Sequence, residues 1–269
     1  MLEANSRKEA SCMKIAVVTG ASSGLGREFV RQLALLEKQL DEIWVIARRR
    51  ERLEALRPSS PVPLRVLPLD LTAEGAVDRL EDALAAARPE VRVLVCAAGF
   101  GRMGSYQQVP RQQSAAMIRL NCQAAVEVTQ ACLPWMKAGS RILEICSTAA
   151  FQPFPYLNVY AATKAFLYRY SRALARELRP RRITVTAVCP YWVKDTEFIP
   201  TARQGSGEQA VRHFPFASLS RRVVARALLD SRRGRAVSTP GPVCTVHRAA
   251  AHCLPAGVLM DVWELLRKA

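Results

Sequence analysis

The chain has 269 residues, half of them apolar and 23% charged, a balance that suits a water-soluble protein with a large buried core. No apolar run approaches the roughly 20 residues of a membrane-spanning helix, and the start, MLEANSRKEASC, lacks the apolar core of a secretory signal. The net charge of +16 rests mostly on arginines spread through helix-like stretches, with no nucleic-acid module beside them, so a nucleic-acid partner is not expected.

Residues 1–12 read as a flexible extension. A β-branched run at 14–19 (KIAVVT) is the first strand, followed by a glycine loop and a helix over 27–39. A second strand at 42–47 (EIWVIA) leads into a charged segment, 48–56. A third strand is expected at 64–69, a helix at 73–87 stopped by Arg88-Pro89, and a fourth strand at 91–97. Residues 110–137 read as one long helix that Pro134 bends or ends. The strand 140–147, the helix 158–178 and the strand 183–188 continue the rhythm. It breaks at 194–218, a stretch of Gly, Pro, Gln and aromatics too long for an ordinary connection. A helix at 220–232 and a short strand at 236–239 follow, then an apolar tail with basic ends, 243–269.

Short apolar strands alternating with helices predict a single-domain α/β Rossmann architecture over residues 13–242. Its doubly wound, mostly parallel sheet would have about seven strands, with helices on both faces. The tail is expected to pack as helix on this domain or on a partner subunit. The eight cysteines form neither a C-x-x-C pair nor a zinc spacing, and several sit inside apolar runs. They read as small buried hydrophobes of a reducing cytoplasm, and no metal site is expected.

The segment Gly20-Ala21-Ser22-Ser23-Gly24-Leu25-Gly26 sits between the first strand and the first helix. Glycines there let backbone approach a pyrophosphate, which the amides and positive end of the helix would hold. The spacing is G-x-x-x-G-x-G rather than G-x-G-x-x-G. The second strand runs straight into Arg48-Arg49-Arg50 with no acid to bond ribose hydroxyls. Guanidinium groups suit a 2′-phosphate, and basic residues at a helix start oppose its dipole, so NADP(H) is the predicted cofactor, with Arg48 and Arg49 as its phosphate ligands.

Tyr160 and Lys164 share one helix face at i, i+4, which brings a cation beside a phenol and draws its pKa down toward working pH. A phenol so tuned can act as acid or base on a carbonyl/alcohol couple. Ser147, at the end of the fifth strand, can orient a substrate oxygen. Asn121 sits in mid-helix, where asparagine is mildly unfavourable, as a solvent-facing side chain or a link in a proton relay.

TGASSGLG, Asn121, Ser147 and YAATK, in that order, resemble the short-chain dehydrogenase/reductase family over about residues 14–196. The resemblance implies that Tyr160 transfers the proton and Ser147 bonds the substrate oxygen. It implies that Lys164 binds the nicotinamide ribose and lowers the Tyr160 pKa, and that Asn121 holds a water linking Lys164 to solvent. Asp70-Leu71 match the adenine contact, and Pro190, Val193 and Thr196 the nicotinamide end. The chain departs from the family at Cys96-Ala97-Ala98-Gly99, where N-N-A-G is usual, leaving only backbone contact at 96 and 97. It also has Pro190-Tyr191 where Pro-Gly is usual.

The predicted reaction is hydride transfer between NADP(H) and a carbonyl or secondary alcohol. Phe100, Phe154, Tyr191, Trp192 and Phe198, with Met103, Phe151, Tyr156, Phe214 and Phe216 nearby, point to a hydrophobic substrate, steroid-like or fatty-acyl, or else simply pack the loop. A non-catalytic NADP(H)-binding regulator or scaffold on the same fold is the alternative. The family implies a homodimer or homotetramer through its long helices. Val246, Ala250, Leu254, Val258, Trp263 and Leu266 give the tail partial helical spacing, interrupted by Pro255 and Gly257. Packing on protein is expected of it, and peripheral membrane contact is the other outcome such spacing allows.

Overall fold

A computed structural model describes residues 12–204 and 216–268, with the backbone alone at 268. Seven strands form one parallel sheet: β1 (Lys14–Thr19), β2 (Glu42–Ala47), β3 (Leu64–Pro68), β4 (Glu90–Cys96), β5 (Arg141–Ile145), β6 (Thr184–Val188) and β7 (Val237–Ser238). Their order is β3-β2-β1-β4-β5-β6-β7, and every pair is parallel.

The strands are mostly apolar because both faces are covered. On one face Ile15, Val17, Trp44, Ile46, Leu94 and Ile142 meet Leu80 and Leu84 of α3 (Ala76–Ala87), Val128 of α5 (Ala124–Cys132), and Leu167 and Leu174 of α6 (Asn158–Glu177). On the other, Ala16, Val18, Val45, Val95 and Leu143 meet Phe29 and Leu33 of α1 (Gly24–Leu36) and Val224 and Leu228 of α8 (Ser220–Arg232). Each such fully buried aliphatic side chain contributes about 1.5–3 kcal/mol of transfer free energy. The strand order reverses between β1 and β4, so a crevice opens beyond their carboxyl ends.

The expected single helix over 110–137 is interrupted twice. α4 (Arg111–Ile118) passes into a π turn at Arg119–Gln123 before α5 begins, and α5 ends at Cys132 in the 3-10 turn Leu133–Trp135, which holds Pro134. The proline break follows from its missing amide. The π turn inserts one residue into the helix and redirects Asn121, whose side chain is fully buried rather than solvent-facing.

The fifth strand leaves the ladder at Ile145. Ser147 instead caps a short 3-10 turn, Thr148–Ala150, its hydroxyl accepting from Ala149 N at 3.1 Å. Within 194–218 the described residues hold one short helix, α7 (Phe198–Arg203), and a bridge between Val193 and Ser218; Phe214 lies outside the described residues.

The tail forms α9 (Pro242–Cys253) and α10 (Ala256–Lys268), separated at Pro255, while Gly257 stays inside α10. Trp263 is 8% exposed, its indole N–H bonded to Pro155 O at 3.0 Å and its ring edge-on to Phe154 at 4.8 Å. Among the described residues no helix is long and apolar enough to cross a membrane.

Candidate active site

At the end of β1 the Thr19 hydroxyl accepts from Ala97 N and Ala98 N, both at 3.0 Å, and pins the loop after β4 against the glycine loop. That closeness dictates the glycines. A Cβ on Gly20, which has φ 66°, would stand 2.8 Å from Ala97 carbonyl atoms, and one on Gly26 2.3 Å from Gly20 O. α1 therefore starts with bare backbone. Its cap residue Ser23 makes no side-chain bond, and its first turn holds no acid. Open amides at a helix start, with no acid in its first turn, fit a dinucleotide pyrophosphate.

Arg49 stands at the start of α2 (Arg50–Glu54) and reaches Ser22 Oγ at 3.3 Å. It also pairs with Glu197 Oε2 at 3.4 Å, while Arg52 donates to Glu197 Oε1 at 2.6 Å. Arg48 lies nearer Asp70. The Asp70 carboxyl is held below its usual value: burial opposes ionisation, and bonds from Thr72 together with the Arg48 charge outweigh it.

Tyr160 and Lys164 lie in the first two turns of α6, both buried, with the Lys164 Nζ 5.7 Å from the phenol ring centroid. The ammonium donates to Ile145 O at 2.7 Å. The electrostatic balance differs from the sequence expectation. Burial pushes the Tyr160 phenol well above its ordinary value, and the hydrogen bond with Ser147 offsets only part of this. Burial likewise lowers Lys164. Desolvation dominates here, so among the protein's own groups Tyr160 holds its proton at neutral pH.

A cavity of about 1270 Å³ joins these parts. Of the predicted cofactor residues it is lined by Gly20, Ser22, Ser23, Gly24, Leu25, Gly26, Arg48, Arg49, Asp70, Leu71, Ala97, Ala98, Gly99, Tyr160, Lys164, Pro190, Val193 and Thr196. Ser147 and the predicted pocket residues Phe100, Phe154, Tyr191, Trp192 and Phe198 also face it.

Two predicted cofactor residues do not line it. Cys96 turns its thiol into the core, 3.6 Å from Thr129 Oγ1, which in turn donates to Glu144 Oε1 at 2.8 Å. Strand alternation explains this: position 96 still belongs to β4 and faces the α5 side. Asn121 lies behind Gly99. Its Oδ1 accepts from Phe100 N at 3.0 Å, and its Nδ2 donates to Phe100 O at 2.9 Å and Thr163 Oγ1 at 3.0 Å. A Cβ on Gly99 would meet Asn121 Oδ1 at 2.9 Å and Lys164 Nζ at 3.5 Å, so a glycine lets both groups approach the same backbone.

Sequence reasoning missed Glu197 and the whole far wall: Gln152, Val246, His247, Ala250, Leu259 and Trp263. The periodic apolar positions of the tail are the available signal, but their spacing points to packing on protein or to membrane contact and not to a cavity wall. Met103 packs in the core beside this wall without lining the cavity, and neither Phe151 nor Tyr156 lines it.

The family model for short chain dehydrogenases matches residues 14–206. The NADP-dependent 3-hydroxy acid dehydrogenase of Salmonella typhi is 31% identical over 199 residues, 73% of this chain and 79% of that protein. The 17-beta-hydroxysteroid dehydrogenase type 3 of Rattus norvegicus is 30% identical over 201 residues, 70% of this chain but 63% of that longer protein. The solved short-chain dehydrogenase from Sphingobium yanoikuyae in complex with NADPH matches with a TM-score of 0.74 at 27% identity, covering 93% of this chain and 95% of that one.

Proposed function

The chain belongs to the short-chain dehydrogenase/reductase family, and on that footing we propose that it is an NADP(H)-dependent oxidoreductase acting on the carbonyl of a hydrophobic substrate. The carrying observation is that one cavity joins the glycine loop, Arg48 and Arg49 to Ser147, Tyr160 and Lys164, and continues between apolar walls. The open amides of α1 would hold the pyrophosphate, and Arg48 and Arg49 the 2′-phosphate. Asp70 and Leu71 would meet the adenine, and Pro190, Val193 and Thr196 the nicotinamide end. NADPH, when bound, supplies the hydride.

The remaining work falls to the chain's own groups. The Ser147 hydroxyl and the Tyr160 phenol interact and line the same cavity, so a carbonyl oxygen placed between them would be bonded by both. Tyr160 delivers its proton to that oxygen as negative charge develops. A phenol raised by burial keeps its proton at neutral pH, which suits the donor role in carbonyl reduction. Lys164 would bond the ribose of a bound dinucleotide and stabilise the tyrosinate left behind. Asn121 fixes the Phe100 backbone and Thr163, and so holds the loop over Gly99 in shape. Buried free cysteines support a cytoplasmic setting, and exposed Ile118 and Phe166 on and beside the long helices suit a homodimer or homotetramer.

The test is NADPH oxidation with a panel of lipophilic ketones, wild type against Tyr160→Phe. Loss of the phenolic proton is expected to lower kcat by about 100- to 10,000-fold. Equal rates would sink the role of Tyr160, and tight NADPH binding without turnover by either protein would favour a regulatory protein instead.

A further inference from the structure

The far wall of the cavity carries one polar pair among apolar neighbours. Gln152, just after the Ser147-capped turn, meets His247 of α9, with 2.7 Å between His247 Nε2 and Gln152 Oε1. The orientation of the Gln152 amide is settled by chemistry. Its Nε2 faces two carbonyl oxygens, Leu259 O at 3.1 Å and Pro153 O at 3.4 Å, and these can only accept. The amide oxygen therefore faces the histidine, and Nε2 of His247 must be the donor. In a neutral imidazole the proton on Nε2 leaves Nδ1 as an acceptor. Burial disfavours the imidazolium and holds His247 below its ordinary pKa, in keeping with the neutral ring.

His247 Nδ1 makes no hydrogen bond among the described residues. Nor is it among the sealed polar atoms without partners, which are Arg92 Nε, Glu144 Oε2, Thr184 Oγ1 and Asp230 Oδ1. It keeps an open side, and His247 is part of the cavity wall. The ring is also fixed in place. Phe151 and Phe154 stand edge-on to it at 5.8 and 5.9 Å, and Phe154 clusters with Leu157 and Tyr160. A fixed, neutral acceptor thus stands in the cavity wall, beside Phe151 and Phe154.

We propose that His247 is a specificity-determining residue whose Nδ1 accepts a hydrogen bond from a hydroxyl group on the substrate, remote from the reacting carbonyl. The substrate class is then a lipophilic ketone that carries a hydroxyl at its other end. The position of the reacting carbonyl rests on the reductase reading above, whereas recognition by His247 is measurable without turnover.

The experiment uses the full chain saturated with NADPH and a series of methyl ketones of graded chain length. Each is compared with its ω-hydroxy and ω-methoxy analogues. Affinity is read from quenching of tryptophan fluorescence, since Trp192 and Trp263 line the cavity, and turnover from NADPH oxidation. At the best-fitting length the ω-hydroxy ketone is expected to bind about tenfold more tightly than its parent. The methoxy analogue, which can only accept, should gain nothing.

His247→Leu should abolish the hydroxyl preference, and His247→Asn, which keeps an acceptor, should restore part of it. Absence of a hydroxyl preference at every length, or its survival in His247→Leu, overturns the proposal. A methoxy analogue that binds as tightly as the hydroxy one overturns the acceptor assignment and the proposal with it. Probes that show the expected binding ratios but are never reduced would refute the reductase reading while supporting the role of His247.

Discussion

The two ends of the cavity are built on opposite plans. At the cofactor end, backbone lies against backbone: Gly20 against Ala97, Gly26 against Gly20, and Thr19 holding two amides of the next loop. At the substrate end, side chains from distant segments make most of the wall. Phe154 follows β5, Phe198 stands on α7, His247 on α9 and Trp263 on α10. The contrast predicts that the glycines of one end resist substitution, whereas the other end can be re-lined. Close backbone approach admits one residue type, whereas an apolar wall admits any side chains of suitable volume.

The most direct way to break this contrast is Gly26→Ala. The added Cβ would lie 2.3 Å from the Gly20 carbonyl, so the loop must move. A loss of NADPH affinity of at least about 100-fold is expected, together with a stability loss of about 1–3 kcal/mol. Titration of NADPH and chemical denaturation of the same variant would check both. Unchanged affinity would mean that the loop geometry does not govern the cofactor.

The plans also differ in how much of each was legible in the sequence. Gly20, Gly24 and Gly26 declare themselves because a local turn needs them, and Tyr160 and Lys164 because helix geometry alone brings them together. Asn121 was found, but its setting was not. The run RLNCQAAV is compatible with an ordinary helix, and nothing local marks the π turn that buries it. The apolar run around Cys96 marks a buried thiol, and strand alternation turns it into the core, but the backbone contact expected there has no cavity-lining residue to carry it. The tail showed apolar residues at helical spacing, yet spacing names no partner, and only the tertiary fold lays α9 and α10 against Phe154. Gln152 and His247, 95 positions apart, had no sequence signal linking them.

A second perturbation sharpens the cofactor end electrostatically. Replacing both Arg48 and Arg49 by alanine removes the cations facing the expected 2′-phosphate. Charge-assisted hydrogen bonds contribute about 1.5–3 kcal/mol each, so the preference for NADPH over NADH should fall by about 10- to 100-fold. The ratio of kcat/KM for the two dinucleotides reads this directly. An unchanged ratio would return these arginines to the role of a solvated helix start.

Beneath the cofactor end lies a buried acid with no counterpart among the apolar residues of the far wall. Glu144 is fully buried on β5, its Oε2 has no partner, and burial pushes its pKa up to about 7 despite bonds with Thr129 and Cys96. The unfolded chain releases this proton near the ordinary value of 4.5, while the folded chain keeps it to about 7. Fewer protons are then bound in the unfolded state, so stability falls as pH rises across that window and levels off above it. Urea denaturation at a series of pH values should show this slope in wild type and a flatter one in Glu144→Gln. Identical slopes would remove Glu144 as its source.

The smallest effect is expected where the two ends touch. Glu197, at the start of α7 from the substrate side, reaches across to Arg49 and Arg52 on the cofactor side. Its carboxylate occupies guanidinium groups that a 2′-phosphate would also seek. The three side chains are substantially exposed, so the pairs are weak and screened by salt. Glu197→Gln should therefore tighten NADPH binding only about threefold, most clearly at low ionic strength, and leave NADH binding unaltered. Weaker NADPH binding in the variant would reverse the assignment: Glu197 would then hold Arg49 in position for the phosphate rather than compete with it. In either case a change confined to NADPH means that a residue of the substrate loop sets part of the cofactor preference, and the two ends are then coupled through Arg49.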